Sequence, residues 1–139
     1  MKILFAADGS PYTKKALAFL VTHEAFLAGA DVIVLHVQPG LPPRVKSFVG
    51  ASTVAGYHEE EAQKVLGPID EFLKRHEVTF ETRWVVGSPA DEIVQASVRE
   101  GAHLIVMGTR GYGALGRAVM GSVAQNVVTG SEIPVLLVK

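Results

Sequence analysis

The residue types best suited to chemistry in this chain gather at Gly108 to Ser122, which reads GTRGYGALGRAVMGS, and at Asp8. Glycines at 108, 111, 113, 116 and 121 fall between an aliphatic run, Leu104-Ile105-Val106-Met107, and an apolar segment, Val123 to Val128, that reads as a helix. Glycine admits positive φ and a close approach of backbone to ligand, and a strand-loop-helix junction aims free N–H groups into the loop. A helix beginning near Ser122 adds about half a positive charge at that end. The chemistry such a loop supports is the holding of an anion, and phosphate is the usual one.

Three phosphate-loop patterns overlap on this stretch. Gly111-Tyr112-Gly113-Ala114-Leu115-Gly116 has the form GxGxxG, but it comes too late in the chain for a dinucleotide fold, and no acidic strand end follows at the required interval. Gly111 to Ala118 has the outline of a P-loop in which Arg117-Ala118 replaces the Lys-Ser/Thr pair, so the residue for the β- and γ-phosphates and the magnesium hydroxyl are both missing. The third pattern is Gly108, two residues, Gly111, nine residues, then Gly121-Ser122.

The elements that must position these residues follow from apolar periodicity. Residues 2–7, KILFAA, and 32–37, VIVLHV, are nearly continuous apolar runs, as expected of strands covered on both faces. Between them Ser10 can cap a helix and Pro11 suits its first turn, with Leu17, Leu20, Val21, Leu27 and Ala28 at helical spacing until Gly29. Prolines and glycines from Pro39 to Gly56 predict a long irregular connection. A helix is expected from about His58 to His76, with Glu59, Glu60 and Glu61 at its positive end and a kink at Gly67-Pro68. FETRWVV, 80–86, alternates enough to suit an edge strand, and Ser88-Pro89-Ala90-Asp91 opens a helix running to about Glu100. Strands at 103–107 and 134–138 complete the order βαβαβαβαβ. Right-handed crossovers then give an open five-stranded parallel sheet with helices on both faces. In such a sheet ligands sit at the carboxyl ends of the strands, where the strand order reverses. If the first and fourth strands are central neighbours, Asp8, Val37 and Gly108 converge on one crevice.

The individual candidates have competing readings. Asp8 begins Asp-Gly-Ser, ordinary turn and cap chemistry, but it also ends the first strand, where doubly wound folds place function. Ser122 can cap its helix and touch phosphate from the same end. Arg110 can hold phosphate or point to solvent. His36, inside the second strand, reads as structural, because no second His, Asp or Glu stands at metal spacing from it. His58, His76 and His103 fall at element edges and are expected to be solvated, and Trp84 reads as packing.

The third glycine pattern, G-x2-G-x9-G-S/T, resembles that of the ATP-binding branch of the universal stress protein family. The similarity extends through KILFAADGS, LHVQP, VVGSPADEIV, IVMGTRG, GSVAQNVV and IPVLLV. The resemblance implies one Rossmann-like domain, 1–139, of the adenine nucleotide alpha hydrolase-like kind. It further implies that Gly108, Gly111, Gly121, Ser122 and Val123 surround the ribose and phosphates of ATP, while Asp8 and the backbone near Val37 meet the adenosine end. Arg110 stands where the family commonly has a basic residue. Magnesium would accompany the phosphates, held mainly by ATP oxygens and water. A homodimer through antiparallel pairing of Ile133 to Val138 is expected both from the family and from an apolar terminal strand at a sheet edge.

No positioned general base, Walker-type lysine or carboxylate pair accompanies the loop. The expected function is therefore a nucleotide-dependent regulator in a stress response without efficient turnover. Slow ATP hydrolysis or autophosphorylation, with Ser122 or Thr109 as acceptor, is the alternative. A phosphorylation receiver of similar topology would need an Asp ending the third strand, where Val85-Val86-Gly87 stands, and a flavodoxin would need a Ser/Thr-rich loop after the first.

Composition narrows the classes further. Thirteen basic against 14 acidic residues, for a net charge of -1, argue against a general binder of nucleic acid or anionic membranes. The absence of cysteine excludes disulfides, thiol catalysis and Cys-ligated metals. Apolar runs too short to span a bilayer, and a start that reaches Asp8 before a signal-peptide core could form, lead to the expectation of a cytoplasmic protein.

Overall fold

Strand β1 (Lys2–Ala7) has no polar residue after Lys2, and in the computed structural model, which describes residues 1–110 and 120–139, both of its faces are covered. Ile3, Phe5 and Ala7 pack to one side with Val32 and Val34 of β2 (Asp31–Gln38), against α1 (Pro11–Thr22) and α4 (Ala51–Arg75). Leu4 and Ala6 pack to the other with Ile33, Leu35 and Val37, against α5 (Pro89–Arg99) and α6 (Ser122–Gly130). Alternate residues of one strand thus feed two cores, as pleating requires.

With β3 (Phe80–Val86), β4 (Leu104–Gly108) and β5 (Val135–Val138), the sheet has the order β3-β2-β1-β4-β5, and its pairings are parallel. The expected open five-stranded sheet with helices on both faces is what forms. β1 lies between β2 and β4, so the strand order reverses at β1, and Asp8 and Gly108 end adjacent strands. β3 and β5 are the edges, as their sequences suggested.

The helices depart from expectation in three places. The first helical stretch is broken at His23 into α1 and a short α2 (Glu24–Leu27), where the His23 Nδ1 lies 2.8 Å from the Phe19 carbonyl. The segment expected to be irregular holds α3 (Pro43–Val49), and α4 begins at Ala51 rather than near His58. Pro43 occupies the first turn of α3, where no N–H is needed, and Gly50, at φ 81 and ψ 161, joins the two helices in a conformation only glycine adopts readily. Residues that usually punctuate loops here start one helix and hinge two.

Glu59, Glu60 and Glu61 consequently lie well inside α4, not at its positive end, and Pro68 sits within a helix that continues on both sides of it. The earlier start also buries His58, on the inward face with Ala62, Leu66, Ile69 and Leu73. Neither of its ring nitrogens has a hydrogen-bond partner among the described residues, so the expectation that His58 is solvated is overturned. His76 and His103 are exposed, and Trp84 packs on the core of the α1 and α4 side.

Candidate functional site

A cavity of about 390 Å³ opens at the carboxyl ends of the strands. That is within the range of small-ligand sites, roughly 300–1,000 Å³. Its inner wall belongs to the α5 and α6 side of the sheet, with Ala6, Leu35, Val37 and Met107 contributed by strands, and Ile93 and Ala124 by helices. Such walls suit a flat apolar group. The polar groups stand at the rim.

One side of the rim is the turn after β1. The Asp8 Oδ1 accepts from the Ser10 N–H at 2.9 Å and from the Thr13 hydroxyl at 2.8 Å. The Asp8 N–H in turn donates to the Thr13 Oγ1 at 3.1 Å, and the Ser10 Oγ caps α1 by accepting from the Thr13 N–H at 3.4 Å. Thr13 and Ser10 are buried, so the network fixes the carboxylate where it lines the cavity. Both readings of Asp8 therefore meet: it is a turn residue, and it faces the crevice.

β2 supplies the next part. The carbonyl of Ala7 accepts from the His36 Nδ1 at 2.8 Å, which ties the ends of β1 and β2 together. His36 is buried in this structural role, and Val37 and Pro39 continue the lining beyond it.

The opposite rim is where β4 ends and α6 begins. The Gly121 N–H donates to the Thr109 carbonyl at 2.6 Å, and the Thr109 N–H to the Val138 carbonyl at 2.9 Å. The two ends of the glycine loop are thereby pinned to each other and to β5. Gly108, Arg110, Gly121, Ser122 and Val123 line the cavity. Gly111 lies outside the described residues. Ser122 is the first residue of α6, and the N-cap position belongs to Gly121, so the capping role considered for Ser122 is not the one it takes. Its place still puts the positive end of α6 at the cavity. Gly121 has φ -73 and ψ 162, open to any residue, so its backbone conformation does not require glycine.

Gly108 does require glycine, and for a reason the loop pattern did not reveal. A Cβ there would lie 2.6 Å from the Tyr12 Cβ and 3.0 Å from the Tyr12 carbonyl carbon. The end of β4 abuts the first turn of α1. Above that contact the Arg110 guanidinium lies 5.5 Å from the centre of the Tyr12 ring. The Arg110 Nε and the Thr109 Oγ1 are buried without a hydrogen-bond partner among the described residues. A buried N–H without an acceptor costs about 1–3 kcal/mol, and of these two residues Arg110 is the one that lines the cavity.

Sequence reasoning missed Thr13, which the Ser10 cap places three residues on, and the α5 contribution of Pro89 and Ile93. The latter follows once α5 and α6 are known to cover the same face.

Fold and site together define a doubly wound α/β protein with a cleft at its topological switch point. Comparison with known proteins narrows this. The model of the universal stress protein family matches residues 1–139. A universal stress protein of Thermus aquaticus is 38% identical over 141 residues, covering 99% of this chain and 97% of that protein. One of Methanocaldococcus jannaschii is 31% identical over 157 residues, and its solved structure superposes with a TM-score of 0.84 at 34% identity, over 99% of this chain and 94% of that one. An Arabidopsis thaliana family member solved with AMP bound shares the fold, with a TM-score of 0.73 at 20% identity, over 100% of this chain and 91% of its own. The chain belongs to the universal stress protein family.

Proposed function

We propose that the cleft binds ATP, and that the protein is a nucleotide-dependent regulator in a stress response without efficient turnover. The observation that carries the reading is the pairing of an apolar slot with the N-terminus of α6 and with the Arg110 Nε, which is buried without a hydrogen-bond partner among the described residues. The slot, between Val37, Ile93 and Met107, suits a purine. In this reading Asp8 and the backbone near Val37 meet the adenosine end, and Gly108, Arg110, Gly121, Ser122 and Val123, which line the cavity, hold the ribose and phosphates together with Gly111, which lies outside the described residues. The fold is one in which an Arabidopsis thaliana protein holds AMP, which makes an adenine nucleotide sterically reasonable here.

Magnesium fits this reading only as a companion of the phosphates. Among the described residues no group of three or more His, Cys, Asp or Glu could hold an ion, and the Asp8 Oδ1 already accepts two hydrogen bonds. Phosphate oxygens and water would supply its coordination.

Gly121→Val tests the site. Because any residue can adopt the backbone angles there, the variant should fold, and the added bulk should block the phosphate approach. Unchanged ATP affinity in a folded Gly121→Val protein would remove the assignment.

The second reading, slow autophosphorylation, draws on Ser122, whose hydroxyl belongs to a residue lining the cavity. Incubation with labelled ATP separates binding from slow turnover: stoichiometric label lost in Ser122→Ala, or steady phosphate release lost in Asp8→Ala, supports chemistry, and an unlabelled protein that releases no phosphate supports binding alone.

We also propose a homodimer formed by antiparallel pairing of Ile133 to Val138. The outer edge of β5 carries Val135, Leu136, Leu137 and Val138, all only half-buried, with no charge among them. Edges of that composition invite pairing. A monomer by light scattering at micromolar concentration would contradict this.

A further inference from the structure

Two cations share the Tyr12 ring. The Lys15 Nζ lies 5.2 Å from its centre and the Arg110 guanidinium carbon 5.5 Å. Among the described residues neither side chain has a carboxylate partner within ion-pair distance. The ring's electron-rich face attracts a cation, but two like charges gathered on one ring also repel each other. The positive end of α1, whose first turn contains Tyr12, adds to the same field. An arrangement of this kind is completed by an anion of more than one charge.

The placement of the three residues gives that anion a direction. Arg110 lines the cavity, and its buried Nε has no hydrogen-bond partner among the described residues. Lys15 is exposed on α1. Tyr12 is seated against the end of β4 because Gly108 has no side chain to hold it off, and Arg110 leaves the strand two residues later. The ring therefore bridges a cation at the cavity wall to a cation in solvent.

We propose that Tyr12 is a positioning residue that sets Arg110 and Lys15 as a grip for the β- and γ-phosphates of a nucleoside polyphosphate, so that the site selects triphosphates over monophosphates. This rests on the reading of the cavity as the place of the nucleoside. The outer phosphates would pass Arg110 and end near Lys15, outside the cavity proper. The face of the ring, not its hydroxyl, does the positioning.

The test is calorimetric titration of the full chain with AMP and, separately, with ATP, for the wild type, Lys15→Met, Tyr12→Leu and Tyr12→Phe. The wild type should bind ATP more tightly than AMP, by a margin that shrinks as salt is raised. Lys15→Met should weaken ATP roughly 3–10-fold and leave AMP within about twofold. Tyr12→Leu should weaken ATP about tenfold, and Tyr12→Phe, which keeps the ring, should restore it. Lys15 is exposed, so its variant carries the test even if Tyr12→Leu fails to fold. An ATP-to-AMP ratio identical in wild type and Lys15→Met would overturn the grip while intact AMP binding left the cavity reading standing. Failure of the wild type to bind either nucleotide would overturn both.

Discussion

The two ends of the sheet handle their polar groups in opposite ways. At the amino end a smaller cavity of about 230 Å³ is lined by Lys2, Asp31, Glu81, Arg83 and Glu100, among others. Arg83 bridges Glu81 at 2.8 Å and also engages Glu100, while the Lys2 N–H donates to His103 Nδ1 at 2.9 Å and the Lys2 carbonyl accepts from the His103 N–H at 2.8 Å. At the carboxyl end the lining is mostly apolar, yet the Arg110 Nε there, and the Thr109 hydroxyl beside it in sequence, are buried without hydrogen-bond partners among the described residues. The other unpartnered buried side-chain atoms among the described residues are the ring nitrogens of His58, on α4. Charge alone would have pointed to the amino end. Among the described residues, the buried Nε of Arg110, unpartnered and on a residue that lines a cavity, singles out the carboxyl end.

Substitutions at the two ends sharpen the contrast. The largest effect is expected from Gly121→Val, which should lower ATP affinity about 100-fold or more, equivalent to about 2.7 kcal/mol, while the loss of a glycine N-cap lowers stability by only about 1 kcal/mol. Next, Gly108→Ala should destabilise the fold by about 1–3 kcal/mol in chemical denaturation, because the new methyl meets Tyr12 backbone that cannot swing aside. A midpoint equal to wild type would mean that the end of β4 does not abut the first turn of α1 this closely. Thr13→Val removes the hydroxyl that both donates to Asp8 Oδ1 and accepts from the Asp8 N–H, at a cost of about 1–2 kcal/mol and with weaker nucleotide binding. The smallest change is expected at the amino end. Arg83→Ala breaks ion pairs between partly exposed groups and should shift stability by less than about 1 kcal/mol while leaving ATP affinity untouched. A marked loss of affinity in Arg83→Ala would break the distinction between the two ends.

Much of this was legible in the sequence, and the parts that were not share a physical cause. KILFAA and VIVLHV read as doubly covered strands because burial on both faces leaves no polar residue to interrupt the run. Asp8, Val37 and the two ends of the glycine loop could be placed in one crevice because parallel topology fixes which strand ends face the same way. The α3 and α4 boundaries could not be read, since Pro43 and Gly50 have the composition of a loop and only tertiary context makes one a helix start and the other a joint. His58 was misplaced with them, because its burial depends on where α4 begins. In the sequence Gly108 reads as room for a ligand, whereas in the structure its nearest demand is room for Tyr12. Tyr12, Thr13, Pro89 and Ile93 carry no motif. Their part in or beside the site comes from packing between elements distant in sequence, which periodicity within an element does not encode.

The most direct test of the central claim is to denature freshly purified protein, identify any nucleotide released, and titrate the emptied protein with ATP, ADP, AMP and FMN by calorimetry. The expected result is release of an adenine nucleotide or saturable, ATP-selective binding that Gly121→Val abolishes. Absence of adenine nucleotide binding at millimolar ligand would contradict the account, and would leave the carboxyl-end cavity as a packing feature beside a structural turn.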